Sequence, residues 1–218
     1  MPDDVIPVWN AVLLVVLGWL LGVVGPVITD GIKTTYRNAK IRKAVVTELR
    51  EARFRLASVV YILESRFGTR GRKLLEWALP LLENYKGANP NAKLVELIRK
   101  QLELDDNQLA ALAQHTRAEP EGALSVKKNQ VPYIESRLAD LGAFEEDSQA
   151  LVLDIHSRFN LYNEEVEEAR FYFKLTYESG VSEENYRRAI QGVENTYRNL
   201  AQTARLIIEQ INKLSPLQ

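Results

Sequence analysis

Apolar side chains run uninterrupted by charge from Val5 to Thr29, with Asp3 and Asp4 before the run and Asp30 and Lys33 after it. At ~1.5 Å per residue such a stretch makes a helix of roughly 37 Å against a hydrocarbon core of ~30 Å, so residues 5–29 are predicted to span a bilayer with some tilt. Residues 1–4 then form a short outside segment. A cleaved signal peptide would need a basic start and a small-residue cleavage site, whereas this chain starts Met1-Pro2-Asp3-Asp4 and its run closes on Gly25-Pro26-Val27-Ile28. Trp9 falls near one interface and Tyr36 beyond the other, as amphipathic rings prefer, and Pro26 is predicted to kink or loosen the helix.

Beyond residue 29 the apolar period is helical, and three stretches keep a coiled-coil rhythm. In residues 30–68 the seam is Ile41, Val45, Leu49, Ala52, Leu56, Val59 and Leu63. A second seam, in residues 132–179, takes in Ile134, Leu138, Leu141, Ser148, Ile155, Phe159, Tyr162, Val166, Ala169 and Phe173, with Glu145 and Ser148 as its weak points. The third, in 182–214, runs Tyr186, Ile190, Val193, Tyr197, Leu200, Ala204, Ile207, Ile211 and Leu214 without a miss.

Gly180 suits the left-handed residue that closes a helix and Ser182 the cap that opens the next, so the second and third long helices are predicted to form a tight antiparallel hairpin. Residues 71–118 read as a cap of shorter helices interrupted by Pro80, by Gly87 to Asn91 and by Asp105-Asp106-Asn107. Residues 119–131, with Pro120, Gly122 and Lys127-Lys128, read as a polar loop and the first place to expect disorder or cleavage. The fold class is therefore all-α: one N-terminal transmembrane helix followed by an antiparallel bundle of three long helices with a small helical cap. In this picture the first helix rises from the membrane, the second descends, the Gly180 turn lies near the bilayer and the third ascends.

Charge orients the anchor. No Lys or Arg precedes it, while Lys33, Arg37, Lys40, Arg42 and Lys43 follow it, which places residues 30–218 in the cytoplasm and the N-terminus outside. The formal net charge of -1 conceals an asymmetry: residues 30–73 hold 12 Lys and Arg against 4 acidic residues, and residues 74–218 hold 16 against 23. An acidic body without a basic face interleaved with stacking aromatics excludes a nucleic-acid partner. The absence of cysteine excludes disulfides and thiolate chemistry.

Three groups of residues are candidates for interaction. The five basic residues are the ordinary display of a cytoplasm-facing anchor and also suit anionic lipid headgroups. Gly18 and Gly22 form a G-x-x-x-G that lets two backbones approach, which points to a homodimer through the membrane. Phe171, Tyr172, Phe173 and Tyr177 crowd the end of the second helix, facing too many directions for one seam; they fill the bundle, or they rest on lipid or receive a partner helix.

Catalysis has little to stand on. Neither His115 nor His156 has a partner at metal-ligand spacing, the acidic runs at 145–147 and 164–168 read as solvated helix faces, and no phosphate-binding or nucleophile-elbow motif occurs. The chain reads as a non-catalytic, membrane-anchored cytoplasmic interaction or scaffold module, with no cofactor, no metal and no small-molecule substrate, acting on a protein partner. Two rivals stand beside it. One is a membrane effector or channel accessory assembling through its anchor, against which Asn10 offers little lining for a pore. The other is a single-pass signalling partner.

Overall fold

The computed structural model describes residues 8–85, 87, 91–118 and 124–214. Among them every regular element is helical. The order is α1 (Val8–Arg66), α2 (Arg72–Glu83), α3 (Ala92–Leu102), α4 (Asp106–His115), α5 (Pro132–Ser136), the 3-10 turn η1 (Leu138–Ala143), α6 (Glu146–Leu175) and α7 (Glu183–Lys213). The expected outside segment 1–4, the start of the anchor and residues 119–123 of the loop lie outside the described residues. Contacts divide the chain into two units, one ending at Lys43 and one beginning at Ala44.

The first unit holds a helix long and apolar enough to cross a membrane. It stays α-helical through Pro26. Pro26 removes one backbone donor; downstream, Thr29 Oγ1 donates to the Gly25 carbonyl at 2.8 Å and Thr35 Oγ1 to that of Gly31 at 2.9 Å.

The second unit packs the rest of α1 with α6 and α7. Leu49, Leu56 and Leu63 of α1, Ile155, Phe159 and Tyr162 of α6, and Tyr197, Leu200, Ile207 and Ile211 of α7 are buried together as its core. On α1 and α7, Arg53 donates to Asn212 Oδ1 at 2.8 Å and Arg205 to Glu64 Oε1 at 3.3 Å. On α6 and α7, Thr203 donates to Glu165 Oε1 at 3.2 Å, and a Cβ at Gly192 would lie 2.6 Å from the Tyr172 ring. Residue numbers fall along α7 as they rise along both neighbours, and any side chain at position 192 would require the Tyr172 ring to shift. Gly180, at φ +82°, turns α6 into α7, and Ser182 Oγ caps α7 by accepting from the Asn185 N–H at 3.3 Å.

Four expectations change here. The second long helix does not start at Pro132. Residues 132–143 form α5 and η1, and α6 opens only at Glu146, with Glu146 and Asp147 in its first turn, where carboxylates favour a helix start. The apolar register carries across this break, so Leu141 is buried although the helix is not continuous, while Leu138 is 38% exposed. Nor does Pro80 interrupt α2: the helix continues to Glu83, and the Pro80 carbonyl accepts from Asn84 N–H at 3.3 Å.

The third change concerns the loop. Its described part, Leu124 to Val131, is an extended strap whose backbone is held by side chains. Asn163 both accepts from the Asn129 N–H at 2.8 Å and donates to the Asn129 carbonyl at 3.0 Å. Tyr197 Oη does the same at Leu124, accepting at 3.1 Å and donating at 2.9 Å. Arg170 and Arg55 each donate at 3.3 Å, to the carbonyls of Val126 and Gln130, and the two oxygens of Glu48 take the N–H groups of Tyr133 and Ile134 at 2.9 and 2.8 Å.

The fourth follows from the third. Because the strap carries the chain back from the Arg66 end to Glu48 before α6 begins, α6 runs in the direction of α1 and not against it. Its turn at Gly180 therefore lies at the Arg66 end of this unit. That end is opposite the Ala44 end, where the expected descent would have put it.

The cap is short helices closed by local signals. Asn91 caps α3, and Asp105 and Gln108 form a reciprocal capping box at α4, each taking the other's backbone N–H at 2.8 and 3.1 Å. Tyr85, just past α2, stacks on Phe54 with centroids 3.9 Å apart and donates to Glu51, fastening the cap to α1.

Candidate interaction surfaces

Gly18 and Gly22 face open space: a Cβ on either would meet nothing within 4 Å. Lys33, Arg37, Lys40, Arg42 and Lys43 are all exposed. These two groups thus occupy the same helix without converging on a pocket.

The aromatic group divides. Tyr172 and Phe173 are half-buried, Tyr172 over Gly192 and Phe173 edge-on to Tyr177 at 5.0 Å. Phe171 is 59% exposed and Tyr177 72%, so these two aromatic side chains are uncovered in the half of α6 and the turn that lead to Gly180. They lie toward the Arg66 end of the second unit.

The same end carries a feature that sequence reading passed over. The turn from Arg66 to Lys73 contains four cations, and Gly68, at φ +69°, closes α1 there. A cleft of about 730 Å³ opens between this turn and α4, with Arg70, Arg72, Lys73 and Arg205 on its walls. A second, of about 460 Å³, adds Arg117, Arg198 and Gln202 and shares Glu64, Thr69 and Arg205. Arg72 is committed to structure, with Asp106 at 2.8 Å and the carbonyls of Leu102 and Leu104 closing the end of α3. Arg205 pairs with Glu64 and lies over Trp77, 4.5 Å from the ring centroid, and Arg198 lies over Phe67 at 4.9 Å. These cations are scattered over three segments of sequence, so no local charge run announces them. Glu64, Glu76 and Asp106 line the first cleft as well, and cations outnumber carboxylates across the two clefts.

Burial shifts two titratable groups on α6. Burial, reinforced by Glu165, pushes the Tyr162 phenol up to about 12, which keeps it protonated. Burial also holds the Glu165 carboxyl above its ordinary 4.5; the Thr203 bond pulls the other way and Glu168 adds to the rise, while Oε2 has no partner. A carboxyl raised on folding contributes stability that is whole below the unfolded value of 4.5 and is lost as pH climbs through the higher folded value. Glu165→Gln is accordingly expected to melt above the wild type at pH 7 and to lose that advantage near pH 4. Equal differences at the two pH values, in thermal unfolding, would contradict the assignment.

His115 is exposed and His156 half-buried, and among the described residues no group of three His, Cys, Asp or Glu is placed to hold a metal ion. Glu145, Glu146 and Asp147 are exposed, as are Glu164, Glu167 and Glu168. No known protein family, no curated protein and no solved structure matches this chain.

Proposed function

We propose that the protein is a membrane-tethered, non-catalytic interaction module: residues 5–29 span the bilayer with the N-terminus outside, and residues 30–218 form a cytoplasmic helical body that engages a protein partner. One observation carries this reading. Leu14, Val15, Trp19 and Leu21 are between 66% and 72% exposed, so the apolar run lacks the cover that a soluble core helix receives, and lipid supplies it. Five cations just beyond the run favour the cytoplasmic side for the helical body, and their contact with anionic headgroups would add to the hold.

The body is read as a bundle in which α7 runs antiparallel to both α1 and α6, stiffened by the strap and by the cap on α1. Tethering restricts it to two dimensions and raises its effective concentration toward membrane-bound partners. The cationic clefts and the exposed Phe171 and Tyr177 share the Arg66 end, so a partner with an acidic face and an apolar recess fits there best. Gly18 and Gly22, open on the anchor, leave a homodimer as the self-associated form.

Photo-crosslinking residues introduced separately at Tyr177, Gln202 and Leu153, in intact membranes, test this. Tyr177 and Gln202 are expected to capture one common protein in the membrane fraction. Leu153, 44% exposed but on the earlier half of α6, is expected to capture none. Adducts from Leu153 equal to those from the other two would argue against a partner at the Arg66 end.

A further inference from the structure

Arg70 is only 7% exposed and has no carboxylate partner among the described residues. Its Nη1 donates to Tyr61 Oη at 3.3 Å and its Nη2 to Thr116 Oγ1 at 2.9 Å, both neutral oxygens, and its Nε–H is buried without an acceptor. Tyr61 spends its own proton on Gln101 Oε1 at 3.3 Å, and Thr116 spends its on the Leu112 carbonyl at 2.7 Å, so both hydroxyls present lone pairs to the guanidinium. A guanidinium cannot shed its proton to escape burial, and dipoles alone compensate a desolvated cation poorly. An anion is the natural completion.

The space for one is adjacent. A cleft of about 440 Å³ is lined by Leu97, Leu104 and Leu112 together with Arg70, Gln101 and Thr116, within the size range of small-molecule sites. Lys100 also lines it and is already neutralised by Glu96 at 2.7 Å, so Arg70 is the unmatched charge. Three leucines and a single cation do not suit a phosphate, which needs several donors. Nor do they suit a neutral apolar molecule, which would leave Arg70 as it is. They suit an aliphatic chain that ends in a carboxylate, the chain covering the leucines and the carboxylate facing the guanidinium. We propose that this cleft between α3 and α4 binds a medium-chain aliphatic carboxylate through Arg70.

The test uses the full-length protein in lipid nanodiscs, titrated with octanoate labelled with ¹³C at the carboxyl carbon, with empty nanodiscs as the blank. A saturable shift of the carboxyl resonance and a higher melting temperature are expected, and octanol, with the same chain and no charge, is expected to give no such rise. Arg70→Met should weaken octanoate binding at least roughly tenfold, the factor that corresponds to about 1.4 kcal/mol. Leu112→Trp, which keeps Arg70 but fills the cleft, should weaken it likewise. Binding unchanged in either folded variant overturns the proposal. So does an octanoate response no larger than that of empty nanodiscs, or one that octanol reproduces on the wild-type protein, a comparison that needs neither variant to fold.

Discussion

Replacing Val16 and Leu20 together by Arg is expected to move the protein from carbonate-washed membranes to the supernatant. Each Arg at the centre of a spanning helix opposes insertion by about 2.5–3.5 kcal/mol on the translocation scale, so the pair contributes roughly 5–7 kcal/mol, enough to overturn a single anchor. Both side chains are exposed in the structure, Val16 at 50% and Leu20 at 44%, so no packing inside the chain is lost by the change. The control is Leu153→Arg, on an exposed face of α6, which should remain membrane-bound. Retention of the doubly substituted protein in washed membranes would mean that something other than residues 5–29 holds it there. That single result would remove the basis of the tether.

The second large effect separates two aromatic residues on one helix. Phe159 is 1% exposed, and Phe159→Ala is expected to destabilise the body by about 3–5 kcal/mol through lost transfer energy and the cavity left behind. For a chain of this size that lowers the melting temperature by roughly 6–20 °C. Phe171, one of the uncovered pair, should change stability by no more than about 0.5 kcal/mol when cut to Ala. Thermal or urea unfolding of the two variants side by side decides the matter. Comparable losses would show that Phe171 is covered in solution, and would withdraw it as a docking surface.

The seams were legible because burial on a long helix imposes its own period. Leu49, Leu56 and Leu63, and Val193, Tyr197, Leu200 and Ile207, recur at the helical repeat, and the structure buries each of them. Caps were legible for the same local reason: Gly180 and Ser182 mark a turn whichever way the helices later pack. The break at residues 137–145 was not, since Leu141 keeps the apolar register across it and no proline or glycine pair punctuates the joint. The strap was invisible because its binding is carried by backbone N–H and carbonyl groups, which every sequence possesses, and by Asn163, Tyr197 and Glu48, which lie far away along the chain. The cationic clefts were hidden likewise, assembled from the Arg66 to Lys73 turn, Arg117, Arg198 and Arg205 only when α1, α4 and α7 meet.

By itself the sequence determined helical content, the apolar N-terminal run, the buried faces of the long helices and the tight turn at Gly180, because each depends on residues within a few turns of one another. Tertiary structure alone decided the direction of α6, the end at which the hairpin lies, the clefts beside it and the isolation of Arg70. An amphipathic stripe records that a helix has a partner without recording which partner or in what direction, and a charge pattern along the chain does not tell which charges will meet in space. Those choices depend on where the strap is held, a matter of hydrogen bonds between residues as distant as Glu48 and Tyr133.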